Sequence, residues 1–313
     1  MADGLYQGVP VNRRAARWLP YCVFPVLMLA ALLSVRMLMA QGFAASTAAL
    51  ISVLLFGFIG VSVLERVMPY RRPWLQSHQD VSADVAHLLI NAGIPSLWTP
   101  VQVFLLTAAS VFLAERFGQG LWPEPWHWSA ELALMLLIAE FGRYWVHLAA
   151  HRIGWLWRLH AVHHSPKRLY WLNANRFHPL EKLIFQIPEV APFILLGTPA
   201  EIIAMYFCFN AIHGLLQHSN IALKGGILNW VFSLTELHRW HHSRLVHESD
   251  HNFGNNLIVW DLLFGTYYNP AGREVETIGL LNPDYPQTYR GMLKAPFVAV
   301  DISKLADYRK HDK

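Results

Sequence analysis

The sequence predicts an all-α integral membrane protein: a helical bundle of about four transmembrane helices, a re-entrant or short hairpin, and a cytoplasmic cap of helices rich in histidine. The first observation is composition, because 54% of the 313 residues are hydrophobic and only 15% are charged, against about 25% charged in ordinary soluble domains. The second is a series of apolar stretches long enough to cross about 30 Å of hydrocarbon as helices. The third is that histidine clusters follow where such stretches end.

The first two apolar stretches, 18–40 and 44–64, follow one another closely. Each is long enough to span a membrane as a helix, and the linker between them carries no charge. Because arginine clusters mark cytoplasmic ends, we expect the pair to form a hairpin with both outer ends in the cytoplasm. The clusters are Arg13, Arg14 and Arg17 before the pair, and Arg66, Arg71 and Arg72 after it.

A third and a fourth apolar region precede the first histidine cluster. The third, from about 85 to 114, contains Gly93, Pro95 and Pro100, which we expect to break it. The fourth, about 130–146, returns the chain to the cytoplasmic side and delivers the first cluster there.

A further apolar stretch, 183–216, is interrupted by Pro188, Pro192, Gly197 and Pro199. Proline and glycine weaken helical continuity, so this stretch predicts two helices in a re-entrant or short hairpin rather than one span.

The chain is expected to have three regions: an N-terminal transmembrane region (1–129), a histidine-box catalytic region (130–270) and a C-terminal cytoplasmic tail (271–313). Every histidine cluster falls on the side of the arginines, which predicts a multi-pass protein with its boxes facing the cytoplasm, in the inner membrane if the source is bacterial. The net charge of +4 is modest and the arginines lie near segment ends, so no nucleic-acid partner is expected.

Three histidine clusters have the spacing of metal-ligand boxes. HLAAH places histidines at i and i+4, and HAVHH and HRWHH place them at i, i+3 and i+4, so on a helix each box presents neighbouring rings. Neutral imidazole is the commonest metal ligand near neutral pH. We therefore expect eight histidines to bind metal: His147, His151, His160, His163, His164, His238, His241 and His242.

Eight ligands exceed the needs of one metal, because a structural zinc takes four and a catalytic zinc about three plus water. Two metals would use them. We expect His178 and His218, each near the end of an apolar segment, as further ligands, whereas His213 is less well placed and its role stays open. All-imidazole coordination suits zinc, copper, iron or nickel.

A metal pair at a membrane face beside an apolar bundle indicates chemistry on a lipid, and oxygen activation by iron is the leading hypothesis. A metal-dependent lipid hydrolase stays open, because Glu140 or Glu181 would be a nearby general base. A metal transport or sensing protein is the third reading, although transporters hold their ligands within helices at mid-membrane rather than at segment ends.

Several ordered motifs resemble the fatty acid hydroxylase and sterol desaturase superfamily: HLAAH, HAVHH, NRFHPLE, QHSN, HRWHH and NFGNNLIVWDLLFGTYYNP, within about residues 130–270. The resemblance implies a non-haem di-iron, O2-dependent membrane monooxygenase that hydroxylates or desaturates a lipid, such as a fatty acyl chain, an ornithine lipid, an alkylglycerol or a sterol. It implies that the eight box histidines are catalytic iron ligands. His178 matches the family's HP element, and His218 matches the histidine before the last box.

The resemblance also implies a structural role for the segment after the last box, where Asn252, Gly254, Trp260 and Asp261 would fix the chain against the metal site. His247 and His251 have no family counterpart and are expected to be solvated. Which lipid is modified, at which carbon, and in what oligomeric state stay open at this point.

Electrons are expected from a separate protein of the ferredoxin, cytochrome b5 or reductase type, because the chain has no cysteine cluster and no GxGxxG motif. Five basic residues near the boxes would form its dock, with binding to anionic lipid headgroups as the alternative: Arg158, Lys167, Arg168, Arg239 and Arg244. The lipid is expected to enter from the bilayer, through a cleft between the hairpin 183–216 and the helix that carries Glu140 and His147.

Overall fold

The computed structural model describes residues 13–117, 121–123 and 126–298, with backbone alone for 13–17. Helices make up the regular structure of this part, which contains isolated β-bridges but no strands. The predicted all-α class is confirmed. The side chains of Arg13, Arg14 and Arg17 and the charged tail from 299 onward lie outside the described residues.

Among the described residues, four helices are long and apolar enough to cross a membrane, as predicted. The second of them is continuous from Ala45 to Val67 but changes its winding in the middle. The spanning elements are α1 (Arg13–Ala40), then α2 (Ala45–Ser52), a π-helical segment (Val53–Val61) and α3 (Ser62–Val67) in one run, then α4 (Val81–Phe117) and α5 (Trp128–Arg152).

Shorter helices complete the chain after the fourth span. The α-helices are α6 (Gly154–His164), α7 (Pro179–Leu196), α8 (Ala200–His218), α9 (Thr235–His241), α10 (Val246–Ser249), α11 (Val259–Phe264) and α12 (Tyr289–Lys294). Single 3₁₀ turns lie at Arg72–Leu75, Trp171–Asn175, Gly226–Trp230 and Ala295–Phe297.

The third apolar region differs from its prediction, because α4 runs unbroken through Pro95 and Pro100. Proline removes one helical hydrogen bond but is tolerated in membrane helices, where local adjustments satisfy the freed carbonyls. Most of this helix exposes apolar side chains, among them Leu97 and Phe104. Such a surface fits a lipid environment.

The predicted hairpin is present as α7 and α8, joined by residues 197–199. Helix α8 lies in the centre of the bundle, against α1, α2, the π-helical segment and α5. It approaches the second span closely at Gly57, where an added Cβ would come within 2.9 Å of Leu215 Cδ1, so the leucine side chain would have to shift. Helix α8 is therefore surrounded by other helices, and it carries His218 at its C-terminal end.

Two buried ion pairs attach the start of α4 to the segment that follows the second histidine box. Arg168 Nε donates to Asp80 Oδ2 at 2.7 Å, and Arg176 Nε donates to Asp84 Oδ1 at 2.5 Å. Removing one member of such a pair strands a buried charge, which typically costs about 3–5 kcal/mol. These pairs hold the region between the boxes in place.

Candidate metal centre

The first two boxes face each other because the chain reverses between α5 and α6. His147 and His151 occupy the last turns of α5, where their i and i+4 spacing aligns them. Ile153 is extended, with φ −103° and ψ 117°, and separates the two helices. Helix α6 then brings the second box back over the first.

Nine buried histidines form two groups, and in each group one ligand atom per ring lies within 4.8 Å of all the others. The five-histidine group consists of His147, His151, His160, His164 and His241, and the four-histidine group of His163, His218, His238 and His242. The groups adjoin, since the His164 and His242 ring centroids are 4.5 Å apart. All eight box histidines and His218 are brought together.

The surrounding protein fixes which nitrogen of several rings points inward. His147 Nδ1 lies 2.6 Å from the Phe253 carbonyl, and His241 Nδ1 lies 2.8 Å from the His251 carbonyl. A carbonyl oxygen only accepts, so each Nδ1 carries the proton and donates it. His160 Nδ1 donates to the carboxylate of Glu181 in the same way. Because each Nδ1–H points away from the cluster, the lone pair on Nε2 points into it, as in histidines that bind metal.

The Nε2 atoms that point into the cluster lie closer together than neutral rings favour in the absence of a cation. His147 Nε2 and His160 Nε2 are 3.0 Å apart, and His160 Nε2 and His164 Nε2 are 3.1 Å apart. Because His147 and His160 both donate from Nδ1, their facing Nε2 atoms present two lone pairs to each other. The buried Nε2 atoms of His151 and His241 have no hydrogen-bond partner among the described residues. The donor set therefore fits metal ions.

Burial favours the neutral form of six of these imidazoles. It lowers the pKa of His163, His164, His238 and His242 well below the usual 6.5, and neighbouring imidazoles add to the effect. Burial also lowers the pKa of His218 and His241 to about 3. Neutral rings are the form that binds metal, so the site is ready to accept cations at neutral pH.

Two of the histidines weighed as ligands, His178 and His213, lie outside both groups. His178, expected as a ligand, caps α7 instead: its Nδ1 accepts from Leu180 N–H at 3.2 Å, and its Nε2 contacts the Leu293 carbonyl at 3.3 Å. His213 is buried in the bundle, with its ring 5.4 Å from Phe24 and 5.6 Å from Phe209. Burial lowers the pKa of His213 to about 3.

His247 is exposed, as expected, but His251 is only partly exposed and supplies the carbonyl to His241. The sequence carried no signal for that backbone role.

The segment after the last box closes the five-histidine group. Asp261 accepts from the N–H groups of Phe253 and Gly254, each at 2.7 Å, and this holds the Phe253 carbonyl toward His147. A side chain at Gly254 would collide with the Leu257 carbonyl, 2.1 Å from the added Cβ. Asn252 adopts φ 58° and donates to the Leu237 and Tyr268 carbonyls.

A cavity of about 440 Å³ opens onto both groups. Its polar wall includes Arg143, Lys182, Asn210 and Asn255, none of which the sequence had marked as functional. Five histidines line it, namely His147, His160, His163, His218 and His238, and the remainder of the wall is largely apolar. Residues of α5, α7 and α8 line the cavity, and residues of the second span contribute to another side. Entry of a lipid at this place stays a prediction.

The carboxylates that a hydrolase would use are already engaged. Glu140 accepts from Asn255 N–H at 3.0 Å, from Asn256 N–H at 2.8 Å and from the Asn256 side chain. Glu181 accepts from His160 through Oε1, and its buried Oε2 has no hydrogen-bond partner among the described residues. The Glu140 carboxylate is therefore not placed as a free general base.

Fold and site together define a helical protein with four candidate membrane spans and two adjoining groups of buried histidines that could hold metal ions. A model of the fatty acid hydroxylase family matches residues 132–266. An ornithine lipid hydroxylase of Rhizobium tropici is 36% identical over 224 residues, which cover 70% of this chain and 67% of the relative. The chain belongs to the fatty acid hydroxylase family.

More distant relatives agree with this assignment. The human alkylglycerol monooxygenase is 32% identical over 72% of this chain and 49% of its own length. A Delta(7)-sterol-C5(6)-desaturase of Nicotiana tabacum is 28% identical over 46% of this chain and 52% of its own length. The chain thus spans about half the length of these two relatives. No solved structure matches the chain.

The predicted superfamily and the predicted enzyme class, a lipid-hydroxylating or lipid-desaturating oxygenase, are confirmed by these relatives. The three-region division stays a prediction.

Proposed function

We propose that this chain binds two iron ions, one in each histidine group, and uses O2 to hydroxylate a membrane lipid. The observation that carries the proposal is the pair of adjoining groups with Nε2 atoms turned inward. The ligand set is the eight box histidines with His218, and His178 is left out because it caps α7. Iron would supply the oxygen activation that a side chain lacks.

The protein's own part is to hold the ligand rings and to position the lipid. The Phe253 and His251 carbonyls and Glu181 fix three rings from behind. The apolar lining of the cavity limits water around the reacting carbon.

The apolar tail of the lipid would enter along α8 from the bilayer. A second cavity of about 620 Å³ lies between the starts of α2 and α8, and it shares Leu50, Val53 and Phe207 with the histidine cavity. Moving a tail from an apolar phase into water costs about 0.8 kcal/mol per CH₂. A route within the bilayer avoids that cost.

The function is tested on the purified full chain with metal analysis and product analysis. We expect about two irons per chain and O2-dependent formation of a hydroxylated lipid, with incorporation of label from ¹⁸O₂. Ornithine lipid is the first substrate to supply, because an ornithine lipid hydroxylase is among the relatives; an alkylglycerol and a sterol are the next. A metal content without iron, or product whose new oxygen comes from water, would contradict the proposal.

Two alanines test the lipid route, since Ala211 lines the histidine cavity and Ala204 lines the second cavity. Ala211→Trp and Ala204→Trp should each lower turnover of a long-chain substrate while iron content is kept. The exposed Ala108 on α4 lines neither cavity, so Ala108→Trp is the matched control. Full activity of both Ala211→Trp and Ala204→Trp would show that the lipid does not enter along α8.

The boxes are proposed to face the cytoplasm, since Arg66, Arg71 and Arg72 follow the second span on the side of the histidines. Labelling of single cysteines in intact cells tests this on a Cys22→Ser background, because Cys22 is exposed. Lys167→Cys should resist a membrane-impermeant reagent and Gln41→Cys should react. The reverse pattern would overturn the orientation.

The electron donor is proposed to dock on the histidine-bearing face through fewer residues than expected. Arg168 pairs with Asp80, and Arg239 is buried with its side chain donating to the Ile221 carbonyl, so neither is a surface residue. Arg158, Lys167 and Arg244 remain. Arg158 donates to the Pro296 and Val298 carbonyls. Lys167 and Arg244 lie at a cleft where Gly279 N–H donates to the His242 carbonyl at 3.1 Å. Lys167→Glu should slow turnover driven by an acidic ferredoxin and leave turnover driven by a chemical reductant unchanged.

A further inference from the structure

Two cations line the histidine cavity, and their surroundings differ. Arg143 Nη1 donates to Glu189 Oε2 at 2.6 Å, and Nη2 donates to Asn255 Oδ1 at 3.0 Å. The Lys182 side chain makes no hydrogen bond or ion pair with the described residues; its Nζ lies 5.5 Å from the Phe177 ring centroid. Taking an ammonium out of water is costly unless a partner compensates it. The lysine is therefore placed to receive one.

The position of Lys182 is close to the metal centre. Phe177 stacks on His163 with ring centroids 4.2 Å apart, and the Lys182 ammonium lies 5.5 Å from the same Phe177 ring. These two distances place Nζ within about 10 Å of the His163 ring. A group bound by this lysine would hold the adjoining part of the molecule near the histidines and the end of a long tail away from them.

Neither of the nearby carboxylates forms an ion pair with Lys182. Glu189 accepts from Arg143, from the Tyr206 hydroxyl at 3.2 Å and from the Asn210 amide at 3.0 Å. Glu181 accepts from His160, and both carboxylates act on Lys182 only at longer range. An anion in the cavity would give this lysine the direct partner that it lacks among the described residues.

The rest of the cavity fits an amphiphile rather than a small ion. Asn210 and Asn255 lie on the same wall and offer amide groups. Beyond them, Leu50, Val53 and Phe207 lead into the apolar second cavity. One end of the space is polar and cationic, and the other end is apolar and opens between helices.

We propose that Lys182, with Arg143 beside it on the cavity wall, binds the anionic headgroup of the lipid substrate, a carboxylate or a phosphate. The substrate class is thereby an acidic lipid, and the oxidised carbon lies near the headgroup rather than far along the tail. This inference rests on the proposed function, because it assigns the cavity to the substrate.

The test is binding to the purified full chain in a neutral maltoside detergent, measured by titration calorimetry. The probes share one tail: dodecanoate, dodecyl phosphate and dodecanol. The wild-type chain should bind at least one anion about tenfold or more tightly than the alcohol, as expected for one charge-assisted hydrogen bond. The tighter anion identifies the headgroup as carboxylate or phosphate. Equal affinity for all three probes would overturn the inference.

Variants at Lys182 test whether the preference for anions comes from this residue or from the other charges around the cavity. Lys182→Met should reduce the preference for anions about tenfold, and Lys182→Arg should keep it. Lys182→Gln repeats the test if the methionine variant fails to fold. The exposed Lys224 gives the matched control, Lys224→Met, with wild-type behaviour. An undiminished preference in Lys182→Met or Lys182→Gln would overturn the inference.

Iron content and O2-dependent turnover are measured on the same preparations. A preference for anions that depends on Lys182, found without iron or turnover, would contradict the proposed function and leave the headgroup site standing. Iron and turnover without that preference would contradict the headgroup site alone.

Discussion

The two histidine groups differ in how firmly the surrounding protein holds their rings. In the five-histidine group, His147, His160 and His241 each donate from Nδ1 to a carbonyl or a carboxylate. In the four-histidine group, His163 has a longer contact of 3.3 Å to the Arg176 carbonyl, and the buried Nδ1 of His218 and of His238 has no hydrogen-bond partner among the described residues. The first group is oriented before a metal arrives, whereas the second depends more on the metal itself.

Removing one histidine ligand should cause the largest loss of turnover, and the loss should be similar for a ligand of either group. His151→Ala and His242→Ala should each lower turnover more than about 100-fold, beyond the usual effect of a ring's outer partner, because no neighbouring ring replaces the lost bond. Iron analysis and a lipid turnover assay check this. His247→Ala, at an exposed ring outside both groups, should keep most of the activity. Retained activity at either ligand position would mean that the ligand set is wrong.

The outer partner of His160 should have the next largest effect. Glu181→Gln keeps the size of the side chain but removes its charge, so it weakens the bond that fixes the His160 ring. Such partners typically contribute 10–100-fold in metal affinity or activity, and we expect a loss of iron affinity in that range. Competition with a chelator measures it. Unchanged affinity would show that the five-histidine group does not need this orientation.

The order of metal loss compares the groups directly. Mild chelation of the loaded protein should release one iron first, with a second phase about tenfold slower. The slow phase belongs to the five-histidine group, so Glu181→Gln should accelerate it and leave the fast phase unchanged. Simultaneous release of both irons would remove the proposed difference between the groups.

The smallest effect is expected at His178, which lies outside both groups. Its ring caps α7, and loss of a helix N-cap typically costs about 1 kcal/mol. His178→Ala should lower the thermal unfolding midpoint slightly and leave the iron content at the wild-type value. A loss of iron would return His178 to the ligand set.

The sequence predicted the boxes but not how they would combine. On a helix, consecutive residues are about 100° apart, so His163 and His164 face different directions, and the same holds for His241 and His242. Each of the last two boxes therefore contributes to both groups. That division depends on helix packing across roughly seventy residues of chain, which spacing alone does not contain.

The polar residues of the cavity wall could not be predicted from the sequence either, because their positions also depend on helix packing. Lys182 follows the HP motif closely, and a lysine there is typical of a membrane interface. Its position beside the histidines depends on α7 packing against α5. Arg168 and Arg239 were wrongly predicted to lie at the surface. Helix packing buries both of them against partners elsewhere in the chain, Asp80 and Ile221. The spanning helices were predictable because length and apolar composition are local properties.

The π-helical segment Val53–Val61 has a consequence for altering this protein. A π-helix closes its hydrogen bonds five residues back instead of four, so its turns are wider than those of an α-helix. Deleting one residue there would allow the helix to return to α-winding, and the parts on either side would keep nearly their relative orientation, because the wider turns already hold extra chain. The same deletion in α2 has no such reserve and would rotate one side relative to the other by about 100°. Leu50 would then leave the junction of the two cavities. The second span should therefore tolerate a one-residue deletion in its π-helical segment better than in α2, although both lie far from every histidine in sequence.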